Sequence, residues 1–121
     1  RTSEGEALAA RIQATEVVLA KVLEWQESGQ CTGQSLHRIR GYYEDRLADY
    51  RARLETETGS EEVDSPQDFQ SISEQKLWWK LANLERTVVL ELRKQKQIGD
   101  DALHEIERDI DLLEARITPR S

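Results

Sequence analysis

Two histidines and a large stock of carboxylates are the residues through which this 121-residue chain could do chemistry. Each histidine stands near the start of a helical pattern, with Gln34 three residues before His37 and Asp101 three before His104. In a four-helix bundle, a two-metal centre needs Glu-x-x-His motifs and further glutamates projecting into the core. Here only Asp101 is a carboxylate, and both pairs lie in first turns. The inward positions that would carry ligands are Leu, Ile and Tyr. Ligand identity and number therefore predict no metal site, and the histidines read as surface residues beside helix starts. Cys31 stands in a polar turn with no histidine close before it, which reads as a plain turn residue rather than a reactive thiol. No Ser, Thr or Cys sits in a strained elbow, and no glycine-rich phosphate loop is present. The remaining carboxylates are spread over polar faces. The expectation is a chain with no catalytic residue and no cofactor, and so not an enzyme.

The elements that would have to position any site are helices. Leu103, Ile106, Ile110, Leu113 and Ile117 recur at steps of three and four, on one helical face. Leu77, Leu81, Leu84, Val88 and Leu92 repeat the pattern upstream. Between the two stripes, Gly99 followed by Asp100 and Asp101 offers a helix stop and a capped restart, with acids suited to the new helix dipole. So short a turn makes the two helices antiparallel. Near the N-terminus, Ser3 and Glu6 resemble a capping box. Leu8, Ile12, Val18, Leu19 and Val22 mark a first helix to about Glu27, its apolar face extended by Trp25. The polar stretch 28–35 is a turn, and Leu36, Ile39, Tyr43, Leu47, Tyr50 and Leu54 mark a second helix. Residues 56–67, rich in acids with Gly, Ser and Pro66, break every periodicity and read as a linker. Ser71 with Glu74 offers a capping box for the third helix, and Thr118 to Ser121 read as a frayed end.

These patterns predict an all-α, four-helix bundle built from two antiparallel hairpins: hairpin 1 over about 4–56, a linker over 57–68 and hairpin 2 over about 69–117, all one domain. Shifting the chain by 67 residues lays Val22–Tyr43 on Val89–Ile110, with Leu36, His37 and Ile39 meeting Leu103, His104 and Ile106. Either an internal repeat or the general likeness of amphipathic hairpins accounts for this.

Seventeen basic and 24 acidic residues leave a net charge of −7. A surface that acidic argues against nucleic acid as a partner, since phosphate binding needs a basic face. Arg38, Arg40, Arg46, Arg51 and Arg53 cluster, but Glu44, Asp45 and Asp49 interleave with them, which reads as a solvated, ion-paired face. No apolar run reaches the roughly 20 residues a membrane span requires, so no direct insertion is expected. A lone cysteine fits a reducing compartment. The lack of any methionine reads as a piece of a longer protein.

Trp78 and Trp79 are adjacent, so their side chains diverge by about 100 degrees on a helix. Trp78 extends the apolar stripe. Trp79 faces elsewhere, either packing on Phe69 or Ile72 or forming a partner surface, since tryptophan is enriched at interface anchors. Trp78, Trp79 and Phe69 are therefore the candidate interaction surface, and a homodimer is one arrangement they would serve.

From Glu85-Arg86 through Leu90, Leu92-Arg93, Ile98-Gly99-Asp100, Leu103, Ile106-Glu107 and Asp109-Ile110-Asp111 to Glu114-Ala115-Arg116-Ile117, the chain resembles the C-terminal cytoplasmic tail of bacterial sodium/proton antiporters of the monovalent cation/proton antiporter family. The likeness covers about the last 34 residues, as a pattern of helices rather than a catalytic signature. Ile110 in the Asp-x-Asp run and the long acidic linker depart from the family pattern. The resemblance implies a regulatory or dimerisation domain at the cytoplasmic face of the inner membrane. Its partner would be the transporter's membrane domain, and that domain, not this chain, would hold the ion-translocating carboxylates. Asp100, Asp101, His37 and His104 form a candidate pH-sensitive cluster, since crowded acids repel and protonation relieves them. The alternatives are a free-standing adaptor module and a small-molecule-binding bundle. The latter would need a polar group in the core, for which Tyr43, Tyr50 and Thr87 are the candidates.

Overall fold

Four helices form where the three- and four-residue periodicities place them. The computed structural model describes residues 3–29, 33–56 and 72–117. Within these, α1 spans Ser3–Ser28, α2 Gly33–Thr56, α3 Ile72–Lys94 and α4 Asp100–Ile117. Among the described residues there is no strand, and no helix is long and apolar enough to cross a membrane. The fold is the all-α bundle that the patterns predict. Cys31, Phe69, Ser71 and the segments 57–71 and 118–121 lie outside the described residues.

Both hairpin turns begin in the same way. Gly29 and Lys96, which are 67 positions apart, adopt left-handed backbones with φ of 73° and 63°. At the second turn the Gln97 N–H donates to the Leu92 carbonyl at 2.9 Å and the Lys96 N–H to the Arg93 carbonyl at 3.0 Å, pairing carbonyls the helix leaves open. Asp100 and Asp101 then start α4, as its charge pattern predicts.

The two hairpins dock with a definite sense. Glu6 accepts a hydrogen bond from the Gly99 N–H at 3.0 Å, and Arg11, further along α1, reaches Glu105 and Asp109 on α4. Contacts that advance together along both helices mean that α1 and α4 run parallel. By the same reasoning α2 and α3 are parallel, because Ser35 and Arg38 meet Glu74 whereas Arg46 meets Glu85. Thus α1 and α3 cross the middle of the bundle antiparallel, and α1 packs against all three other helices.

The core face differs in detail from the leucine stripes. On α1 the buried residues are Ala7, Ala10, Arg11, Ala14, Thr15, Val18, Val22 and Trp25, while Leu8, Ile12 and Leu19 lie at its margin. The buried set on α3 is Glu74, Leu77, Trp78, Leu81, Ala82, Glu85, Val89 and Leu92. Every member of the second set follows a member of the first by 67 positions. The hairpins therefore share one packing register, and the repeat seen in the sequence is a repeat of buried positions.

The small residues decide the spacing. Ala7, Ala10 and Ala14 on α1 and Ala102 on α4 let those two backbones approach. Between α2 and α3 lie Tyr42, Tyr43 and Trp78, with ring centroids 4.9–5.8 Å apart, and these rings hold the backbones further from each other.

Candidate functional site

Tyr42, Arg46 and Tyr50 are spaced by four on α2, so they line one face. The Arg46 guanidinium sits 5.3 Å from both ring centroids, donates from Nη1 to the Tyr42 hydroxyl at 2.9 Å and from Nε to the Tyr50 hydroxyl at 2.9 Å, and also donates to Tyr50 through Nη2. Across the core on α3 stands Glu85, 1% exposed. Its Oε2 is 4.0 Å from Arg46 Nη2, too long for a hydrogen bond, and among the described residues its Oε1 has no hydrogen-bond partner. The Tyr43 hydroxyl, also fully buried, has none either. From α1, Arg11 lies 5.7 Å from the Tyr50 ring and donates to Asp109 and, at 3.4 Å, to Glu105 on α4. All four helices thus contribute a charged side chain to one polar layer.

The electrostatics of the layer are dominated by burial. Burial pushes the Glu85 carboxyl up from the ordinary glutamate range; Arg46 and then Arg11 oppose this, Asp109 adds to it, and the net shift is upward. Burial works against the Arg46 charge, but the attraction of Glu85 and the tyrosines outweighs it and keeps the guanidinium protonated. Burial, then the nearby Glu85 charge, hold the Tyr43 phenol well above its usual value.

A second buried carboxylate, Glu74, differs in being fully supplied with donors. It accepts from Ser35 at 3.0 Å, from Arg38 at 3.2 Å and from Trp78 Nε1 at 3.1 Å. Glu74 thereby links α2 to α3, while its expected capping partner, Ser71, lies outside the described residues. Glu6 likewise serves α4 through the Gly99 N–H.

The residues singled out from the sequence are scattered. Trp78 is buried in the core and offers no outer surface, while Trp79 is 39% exposed on α3. Phe69 is outside the described residues. His37 is exposed at the α2 start, at the end of the bundle where Glu74 begins α3. His104 is exposed at the α4 start, at the opposite end beside Glu6. The candidate pH-sensitive cluster is therefore not one constellation. Asp100 receives a hydrogen bond from Arg93 at 2.7 Å, which with the Arg93 charge lowers its pKa, and Asp101 is exposed beside it. Among the described residues no group of three or more His, Cys, Asp and Glu side chains is placed to hold a metal ion. Of the core polar candidates, Tyr43 and Tyr50 are buried, and Thr87 is exposed, its hydroxyl donating to the Asn83 carbonyl.

The arginine-rich face of α2 is only partly the solvated ladder its interleaved acids suggest. Arg40 pairs with Glu44 and Arg53 with Asp49 along the helix, but Arg38 and Arg46 turn inward to α3. Arg11 and Glu85 escaped the sequence reading. Their signal was available in the alanines at 7, 10 and 14, which mark the true α1 face with Arg11 on it, and in the 67-residue offset, which places Glu85 opposite the core residue Val18.

Compared with known proteins, the chain matches no family model, no curated protein and no solved structure.

Proposed function

We propose that this chain is a non-catalytic regulatory or dimerisation domain of a membrane sodium/proton antiporter, held at the cytoplasmic face of a bacterial inner membrane. The supporting observation is that Arg86, Arg93, Asp100, Asp111 and Glu114, among the residues carrying the resemblance, bind α3 to α4. Arg86 donates to Asp111 at 2.5 Å and to Glu114 at 2.7 Å, and Arg93 to Asp100 at 2.7 Å. The pattern from Glu85 to Ile117 thus lies on one hairpin whose helices are joined by three ion pairs. Such a body acts by docking, and its partner in this reading is the membrane domain of the same transporter.

The test is removal of this domain from its parent protein, followed by transport measured against pH. A displaced or flattened profile supports the reading, and an unchanged profile removes the regulatory role. A parent reading frame without a run of hydrophobic spans upstream would remove the transporter itself. In that event the adaptor reading stands, and exposed Trp79 is the feature that favours it. Loss of partner binding or of oligomer mass in Trp79→Ala would then identify the docking face.

A further inference from the structure

Glu85 occupies a position that is hard to reconcile with a permanently ionised carboxylate. It is almost completely buried, its Oε1 has no hydrogen-bond partner among the described residues, and its Oε2 lies 4.0 Å from Arg46 Nη2, beyond hydrogen-bond distance. The groups that face it are Arg11 from α1, Tyr42, Tyr43, Arg46 and Tyr50 from α2 and Asp109 from α4, with Arg86 beside it on α3. The two guanidinium groups near it are engaged elsewhere, Arg46 with the hydroxyls of Tyr42 and Tyr50 and Arg11 with Asp109 and Glu105, while the buried Tyr43 hydroxyl makes no hydrogen bond to it. A buried carboxylate without hydrogen bonds is strongly disfavoured, whereas its neutral acid is far less so. Glu74 on the same helix, with three donors, shows what this bundle provides for its other buried carboxyl group.

We propose that Glu85 is a proton-binding site whose charge state decides where the Arg46 guanidinium rests. With Glu85 protonated, Arg46 stays on Tyr42 and Tyr50, as the structure shows. When Glu85 releases its proton, the carboxylate attracts Arg46 across the remaining 4.0 Å, and the guanidinium leaves one or both tyrosine hydroxyls to donate to it. The exchange changes how α2 is held against α3, and so couples pH to the docking of the two hairpins. It requires no histidine and none of the acids at the helix starts. It also stands apart from any transporter, since it concerns this chain alone.

The test is a pH titration of the whole chain by NMR. The side-chain carboxyl carbon of Glu85 is assigned by its disappearance in Glu85→Gln, and the ring signals of Tyr42 and Tyr50 are followed in parallel. The expected result is a Glu85 midpoint above that of the exposed glutamates, with the tyrosine signals moving at the same midpoint. In Glu85→Gln the tyrosine signals should stay at their acid-form positions at every pH. Stability supplies a second readout. A carboxyl whose folded pKa is raised contributes most below its unfolded pKa, and that contribution is lost as pH rises through the folded value. The advantage of Glu85→Gln over the parent chain should therefore grow with pH through that window and then level off. Titration of Glu85 together with the exposed glutamates would overturn the proposal, and so would tyrosine signals indifferent to its midpoint. Should the variant fail to fold, the parent titration still decides, with Glu85 assigned through its own backbone.

Discussion

The two hairpins are the same object built twice with different chemistry. The positions at which α2 meets α3 correspond, at an offset of 67, to positions on α4 and α1. Tyr42 against Trp78 corresponds to Asp109 against Arg11, an aromatic edge contact on one side and an ion pair on the other. Ser35 donating to Glu74 corresponds to Ala102 and Ala7, two small apolar residues. Arg46 facing Glu85 corresponds to Leu113 and Val18. At each level one side is polar where the other is apolar, or aromatic where the other is charged. The backbone register comes from the shared spacing of buried positions. The differences make the hairpins non-interchangeable, because a hairpin placed in its partner's position would bury Arg or Glu without its counterpart, which costs several kcal/mol per ion.

The largest effect expected from breaking this comparison is at Trp78. Its indole fills the space between α2 and α3 and donates to Glu74. Trp78→Ala should cost about 3–5 kcal/mol, a large share of the roughly 5–15 kcal/mol that holds a domain of this size together. Equilibrium unfolding in urea reads it as a lowered midpoint. A midpoint within a few tenths of a molar of the parent chain would mean that the helices close over the gap.

Next comes the Arg46–Glu85 level. Arg46→Leu alone leaves a buried acid without its nearest cation, and at neutral pH it should lose about 3–5 kcal/mol. Adding Glu85→Val reproduces the Leu113–Val18 level of the other side. The double variant should recover the loss and end between neutral and about 4 kcal/mol more stable than the parent, since buried ion pairs often yield to well-packed apolar residues. A double-mutant cycle in urea measures the coupling. Losses that simply add would show that the two side chains do not sense each other.

That level also explains what the sequence disclosed and what it hid. Helix positions followed from the spacing of Leu36, Ile39 and Tyr43 and of Ile106, Ile110 and Ile117, because a three- and four-residue period has one structural solution. The α3–α4 turn was marked by Gly99 and two aspartates. The polar layer was hidden because an inward and an outward arginine look alike in a row of charges. Arg40 and Arg46 both have acids nearby, and only the aromatic neighbours Tyr42 and Tyr50 distinguish the second. The α1 face was obscured for a related reason. Leucines at 8 and 19 drew the stripe toward the edge, while the alanines at its centre carry little hydrophobic weight and matter through the close approach they allow.

The turns offer a smaller and more direct comparison. Gly29 reaches its positive φ without a side-chain penalty, whereas Lys96 holds nearly the same angle with a Cβ. Lys96→Gly should therefore stabilise the protein by about 1 kcal/mol, and Gly29→Ala should destabilise it by a similar amount. Thermal unfolding of the two variants checks both signs. If Lys96→Gly is neutral, the turn hydrogen bonds from Gln97 and Lys96 do not depend on the left-handed residue being relaxed.

The smallest effect is at the start of α4, where Asp100 is fully exposed to solvent and meets Arg93. The arginine lowers the Asp100 pKa first through its hydrogen bond and then through its charge. A lowered folded pKa gives stability that is present above the unfolded value and lost as pH falls through the folded one, opposite in direction to Glu85. Asp100→Asn should thus lower the melting temperature slightly at neutral pH, and the difference should vanish in acid. It should also vanish in 1 M salt, where the Debye length falls to about 3 Å and exposed pairs are screened. The buried pair behaves otherwise, because salt does not reach Arg46 and Glu85. A melting difference for Asp100→Asn that survives both acid and salt would mean that Asp100 stabilises α4 by something other than its pairing with Arg93.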